Sequence, residues 1–237
     1  MSRRGLSRPV GLLLATTLGL ATAGWGGDLA ELGPVPKGGL RVVLLRHAQA
    51  LSNLSPRPDL SAEELDHLTP LGREQAQAVG RALAPLGIDG LLTSPARRAI
   101  ETAEIVGAAL GLEPRVEKGV RLLELGRARD GSPLSWEARQ AAWRAGRDPS
   151  PPGGESLADL GERVRGVVRA GRGVHPGGMV VLVAHSDVIA AFIGLVQGTP
   201  PPDRLEIHVA NASLSVVDAD ASGGLAMRLL DHRPDGT

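Results

Sequence analysis

The sequence predicts an α/β fold, a three-layer sandwich with a mainly parallel central sheet and helices on both faces. Two runs, Val42-Val43-Leu44-Leu45 and Met179-Val180-Val181-Leu182-Val183-Ala184, have the unbroken aliphatic character of strands buried on both faces. Strand-like and helix-like segments alternate through most of the chain, which calls for parallel strands joined by helical crossovers. A chain of 237 residues with 42% hydrophobic content suits one such domain. With three Trp, one Phe and no Tyr, its core must be built from Leu, Val, Ile and Ala.

The first residues stand apart from that fold. Arg3, Arg4 and Arg8 precede an uncharged stretch from Pro9 to Ala23 that closes on the small-residue pattern Ala21-Thr22-Ala23. This is the layout of a secretory signal peptide over residues 1–23, and Ser2-Arg3-Arg4-Gly5-Leu6 also resembles a twin-arginine signal. The apolar run falls short of the roughly 20 residues that span a bilayer comfortably, so an uncleaved N-terminal anchor is the alternative. The expected destination is periplasmic or secreted. Cleavage after Ala23 removes three arginines and no acid, leaving 23 basic against 26 acidic residues. The absence of Cys excludes disulfides and a lipoprotein anchor. The balanced charge of the whole chain, 26 basic and 26 acidic residues, argues against a nucleic-acid partner. Residues 24–39, rich in Gly and Pro, read as a linker or N-terminal arm, and the domain itself as 40–237.

Within the domain the first strand stops at Arg46-His47. Leu54 to Leu68, with two prolines and several acids, reads as a surface excursion near the strand's end. Thr69-Pro70 opens a helix, with Thr69 as N-cap and Pro70 in the first turn, and Gly87 ends it. Ile88 to Thr93 is a short strand, and a helix follows from about Ala96 to Leu110, stopped by Gly111. A further strand is expected within Val116 to Leu123, a helix over Ser135 to Ala145, and a loop over Asp148 to Gly154. A helix begins at Glu155-Ser156 and runs to about Ala170. The strand Met179 to Ala184 ends at His185, and Ser186 to Val196 is an apolar helix. Shorter strands are expected around Leu205 to Val209, Ser213 to Val217 and Leu225 to Leu230.

Two buried strands thus end in histidine, and in an open α/β sheet ligands bind beyond the carboxyl ends of the strands. His47 and His185 would share one rim with Arg46, and a third strand leads to Arg97-Arg98 at a helix start. Imidazoles, guanidinium groups and a helix N-terminus together suit a compact dianion such as a phosphoryl group.

These segments resemble the histidine phosphatase superfamily, the phosphoglycerate-mutase-like group. Arg46-His47-Ala48-Gln49-Ala50-Leu51-Ser52-Asn53 is similar to its arginine-histidine-glycine signature, with Ala48 in place of glycine. Leu68 to Ala76, Ser94 to Ala103, Gly153-Gly154-Glu155-Ser156 and Val181 to Ser186 are similar to its later segments, so the likeness spans roughly Leu40 to Asp231. The resemblance implies the phosphoglycerate-mutase-like form of the predicted sandwich. It also implies a phosphohistidine intermediate on His47, with Arg46, Arg98 and His185 around the transferring phosphoryl group and Asn53 as a further donor. The Arg-Ala step followed by Thr-Ala assigns the phosphate role to Arg98 rather than Arg97. Leu122-Leu123-Glu124-Leu125 resembles the segment that carries the general acid. Ala128 stands where the family has glycine, so the acid is Glu124 or, with a shifted alignment, Asp130. Ser186-Asp187 replaces the paired glycines common after the second histidine, and Ala190 an arginine. His67, His175, His208 and His232 are expected at loops or strand ends.

The expected activity is that of an exported phosphomonoesterase acting on a small phosphate ester, such as a sugar phosphate or an envelope glycolipid phosphate. No His-Glu-x-x-His or clustered Asp pattern suggests a metal, and no cofactor is expected. Mutase activity is disfavoured by the absence of Tyr and by the presence of only two lysines, Lys37 and Lys118. The alternatives are a phosphohistidine-protein phosphatase and a non-catalytic phospholigand-binding protein.

Overall fold

The computed structural model describes residues 28–235, so the segment read as a signal peptide lies outside the described residues. The elements in chain order are β1 (Leu40–Arg46), α1 (Ala62–Leu65), α2 (Pro70–Leu83), β2 (Gly90–Thr93), α3 (Arg97–Leu110), β3 (Arg115–Val116), α4 (Trp136–Arg144), α5 (Leu157–Val174), β4 (Gly178–Ala184), α6 (Ser186–Gln197), β5 (Leu214–Ala219) and β6 (Leu225–His232). They form one six-stranded sheet in the order β3-β2-β4-β1-β5-β6. β1 to β4 run parallel, whereas β5 pairs antiparallel with β1 and β6 with β5. The sheet is therefore mostly parallel, as the aliphatic runs predict.

Side-chain alternation sorts each central strand between two cores. Leu40, Val42 and Leu44 of β1, with Val180, Leu182 and Ala184 of β4, pack with α5, α6 and Trp143 of α4. Val43 and Leu45, with Met179, Val181 and Val183, pack with α2 and α3. Burying a Val or Leu side chain stabilises the fold by about 1.5–3 kcal/mol, so these two strands anchor both layers. The N-terminal stretch adds to the second core through Leu29, while Arg41 donates from the sheet to the Leu32 and Gly33 carbonyls.

Helix ends follow local chemistry. Thr69 Oγ1 accepts from Gly72 N at 2.9 Å with Pro70 in the first turn, and Ser156 and Asp159 form a capping box at α5. Gly87 and Gly111 take left-handed conformations at φ 68° and 67° where the segments ending in α2 and α3 stop.

The structure corrects two expected strands. Of the 116–123 region only Val116 joins the sheet, in the two-residue edge strand β3 with Arg115; Lys118–Val120 is a 3₁₀ turn. Val120 drops into the core while Val116 stays exposed, so the side chains do not alternate as a strand requires. The stretch around 205–209 is no strand either: Pro201–Glu206 is 3₁₀, because prolines at 200–202 supply no ladder N–H and Arg204 turns inward to the Thr199 and Leu157 carbonyls. Helix α5 runs to Val174, four residues past the expected end, with Gly171 packed close against Leu40.

Candidate active site

Neighbouring parallel strands bring the two histidines together. Arg46 is in register with Ala184, and Thr93 with Val183, so His47, Ser94 and His185 follow directly on three adjacent strand ends. His47 N donates to Ala184 O at 2.9 Å and Ser94 N to Val183 O at 2.9 Å, which extends the ladders into the site. The His47 and His185 rings lie 5.2 Å apart between centroids.

Arg98, the second residue of α3, spans both rings. Its Nε donates to His47 Nε2 at 3.1 Å, its Nη2 to His185 Nδ1 at 3.3 Å, and its Nη1 to Asp66 Oδ1. A guanidinium only donates, so both ring nitrogens facing Arg98 are bare. His47 carries its proton on Nδ1, which donates to Ala48 O at 2.8 Å. His185 carries its proton on Nε2, 2.7 Å from Ser94 Oγ. Burial, then the charges of Arg98 and Arg46, pushes His47 down to about 3 and keeps it neutral. His185 is held well below the ordinary histidine value by burial, His47, Arg98 and Arg46.

Arg46 reaches the site from the last position of β1. Its Nη1 donates to Val209 O at 2.7 Å, whereas its buried Nε has no acceptor among the described residues. Burial lowers its pKa, partly offset by Asp187 and Asp231. Such a buried, unmatched cationic donor beside two neutral imidazoles favours an oxyanion.

The loop behind His47 is held by residues from the similar motifs. Ala48 N donates to Thr102 Oγ1 at 3.1 Å and Gln49 N to Gln75 Oε1 at 2.9 Å. A Cβ on Gly72 would fall 2.0 Å from Gln49 O, so glycine there lets α2 approach the loop. Asn53 is exposed; its Oδ1 accepts from Ala50 N at 2.9 Å and from Asn211 Nδ2 at 3.2 Å. Asn211 Nδ2 also donates to His47 O at 3.0 Å, tying the two ends of the loop.

Arg46, His47, Arg98 and His185 are thus gathered, with Asn53 joined to them through Asn211. Glu124 is not hydrogen-bonded to any of the four. Its half-exposed carboxylate takes Arg121 Nε at 2.8 Å, and that hydrogen bond lowers its pKa. Its segment is nevertheless stapled beside His185: Leu123 N donates to Asp187 Oδ2 at 2.9 Å, and Glu124 N to Glu155 Oε1 at 3.3 Å. Asp130 sits on an exposed turn, bonded to Ser132. Asp187 is buried and its carboxyl raised by burial, while Ala190 lies within the α6-side core. His67 is at the rim, 2.6 Å from Glu101, and His175, His208 and His232 lie at a helix end, a loop and a strand end.

An open pocket of about 700 Å³ beside the site is lined by residues that include Arg57, Asp66, His67, Arg97 and Arg98. Sequence reading missed Ser94, Asp66, Thr102 and Asn211 as contributors. Ser94 carried a signal, its place directly after a strand in register with β4; the others meet the site only through long-range contacts. Among the described residues no cluster of three His, Cys, Asp or Glu side chains is placed to hold a metal ion.

Comparison with known proteins places this geometry in context. A family model described as the histidine phosphatase superfamily, branch 1, matches residues 42–232. The probable phosphoglycerate mutase GpmB of Yersinia enterocolitica is 29% identical over 195 residues, covering 79% of this chain and 88% of that protein. The solved mycobacterial glucosyl-3-phosphoglycerate phosphatase is 28% identical with a TM-score of 0.63, over 81% of this chain and 99% of that one. A phosphoserine phosphatase from Entamoeba histolytica, 18% identical with a TM-score of 0.66 over 81% of this chain and 97% of its own, shares the fold.

Proposed function

The chain belongs to the histidine phosphatase superfamily, and from that membership we propose that it is an exported, metal-independent phosphomonoesterase acting on a small phosphate ester through His47. The observation that carries this reading is the convergence of Arg98 on His47 Nε2 and His185 Nδ1 beside the unmatched Nε of Arg46. The substrate phosphoryl group takes Arg98 and Arg46 as its cationic partners. Once Arg98 turns to the phosphate, the His47 Nε2 lone pair is free to attack phosphorus, with Nδ1–H fixed by Ala48 O. A P–N bond forms as the ester P–O bond breaks, and the leaving oxygen takes a proton from the general acid, Glu124 or Asp130. Water then attacks phosphorus while giving a proton to the same carboxylate, which restores the acid; the P–N bond breaks, and inorganic phosphate leaves with His47 neutral again. Arg46, Arg98 and His185 stabilise the charge on the equatorial oxygens in both steps.

Hydrolysis of a panel of phosphomonoesters, from para-nitrophenyl phosphate to sugar phosphates, tests this reading. His47→Ala should be inactive, vanadate should inhibit, and a chelator should leave activity intact. Wild-type inactivity across the panel would leave the phospholigand-binding alternative. Similarity to a protein named a probable mutase favours a second reading, phosphoryl transfer within one substrate. Release of inorganic phosphate from 3-phosphoglycerate, against formation of its isomer, separates the two.

Export rests on the pattern of Arg3, Arg4, Arg8 and Ala21 to Ala23. The mature N-terminus of the exported protein should lie near Gly24; retention of Ser2 in a membrane fraction would instead mark an anchor.

A further inference from the structure

We propose that Ser94 is a positioning residue for the second histidine, holding the Nε2–H of His185 so that Nδ1 can take up a proton and, keeping it, hydrogen-bond the transferring phosphoryl group. The inference rests on the phosphatase reading of this site and adds a residue to it.

The geometry leaves few choices. Ser94 follows β2 directly, is fully buried, and its Oγ lies 2.7 Å from His185 Nε2. Arg98 Nη2 donates to His185 Nδ1 at 3.3 Å, so Nδ1 is bare and the ring proton points at Ser94. In this form His185 offers a phosphoryl oxygen only a lone pair, which repels it. When Arg98 turns to the phosphate, Nδ1 loses its donor and faces a dianion instead. The dianion favours the imidazolium, and Nδ1 takes up a proton from solvent or from the monoanionic form of the ester. Nδ1–H then donates to the phosphoryl oxygen while Nε2–H keeps Ser94 Oγ as acceptor.

The charged groups facing His185 make that acceptor matter. Arg46 and His47 at the end of β1 and Arg98 on α3 all disfavour a cation there, and Asp187 on its own helix is engaged with Leu123 N. Apart from the bound anion, Ser94 is the neighbour that accepts directly from the His185 ring. A hydrogen bond to a charged group is stronger than the same bond to a neutral one, so the Ser94 contact favours the imidazolium over the neutral ring, by up to about tenfold.

Two measurements on full-length protein and its Ser94→Ala variant test this. Imidazole ¹⁵N shifts of wild-type His185 should show protonated Nε2 and bare Nδ1 without ligand, and protonation of both nitrogens with bound vanadate. Without ligand, Ser94→Ala should keep the Nε2–H form, because Arg98 still donates to Nδ1, but with bound vanadate it should fail to hold the doubly protonated ring at the same pH. In kinetics, Ser94→Ala should lower kcat by up to about tenfold, with little change in KM, and move the basic limb of the kcat profile to lower pH. A wild-type His185 protonated on Nδ1 without ligand, or a Ser94→Ala variant whose vanadate-bound ring stays doubly protonated and whose basic limb is unchanged, would overturn the proposal. The ¹⁵N arm needs no turnover, so it decides the role of Ser94 even if no phosphomonoester is hydrolysed.

Discussion

Arg98 Nε lies 3.1 Å from His47 Nε2, so the cation proposed to bind phosphate occupies the lone pair of the proposed nucleophile. The third side of the same guanidinium is taken by Asp66 from the segment before α2. In the proposed mechanism, phosphate binding and release of the nucleophile are therefore one event: Arg98 cannot turn to a substrate without uncovering His47.

Asp66 opposes that turn. The pair is partly buried, with Arg98 16% and Asp66 25% exposed, and worth about 1 kcal/mol. Asp66→Asn should tighten competitive inhibition by inorganic phosphate by about threefold to tenfold, because less is given up when Arg98 moves. Weaker inhibition in the variant would mean that Asp66 positions Arg98 for the phosphate instead.

Leaving-group dependence identifies the acid. Glu124→Gln should slow alkyl phosphates by about a hundredfold or more while leaving aryl phosphates nearly unchanged, since only a poor leaving group needs the proton. Equal loss on both substrates removes Glu124 from that role. If the alkyl-specific loss belongs to Asp130→Asn instead, the acid is the residue on the exposed turn.

Gly72 is a packing requirement of the nucleophile loop. A methyl at this position meets the Gln49 carbonyl, a backbone atom that cannot step aside cheaply. Gly72→Ala should cost about 1–3 kcal/mol in chemical denaturation and reduce kcat through displacement of the loop after His47. A variant of wild-type stability and activity would show that α2 can move outward freely.

Acid sensitivity should trace to the two site histidines. His47 titrates near 6.5 when unfolded and at about 3 when folded, and His185 is also well below its ordinary value. The unfolded chain therefore binds more protons between these values, and stability falls as pH drops from about 6.5 toward 3, by up to about 1.4 kcal/mol per pH unit for each histidine. Tm measured between about pH 7 and pH 4 should decline less steeply in His47→Gln and His185→Gln than in the wild type. Parallel declines would place the acid sensitivity elsewhere.

Much of the fold was legible because it is written locally. The aliphatic runs of β1 and β4, the Thr69-Pro70 helix start and the left-handed Gly87 and Gly111 each follow from steric and capping preferences within a few residues. The expected strands at 116–123 and 205–209 failed for the complementary reason. Their short apolar stretches fit several conformations, and the prolines at 200–202 and the inward turn of Arg204 decided the second case.

For the site, the sequence by itself determined the inventory: Arg46, His47 and His185 at strand ends and Arg98 at a helix start, in an order similar to one family. Only the tertiary structure decided the connections among them. It is the parallel register of β1, β4 and β2 that sets Ser94 against His185 Nε2, and the packing of α3 that lays Arg98 across both imidazoles. It also places Asp66 on Arg98 and Asn211 between His47 and Asn53. Hydrogen-bond direction and proton position depend on partners 32 to 164 residues away in sequence, which spacing along one chain does not encode.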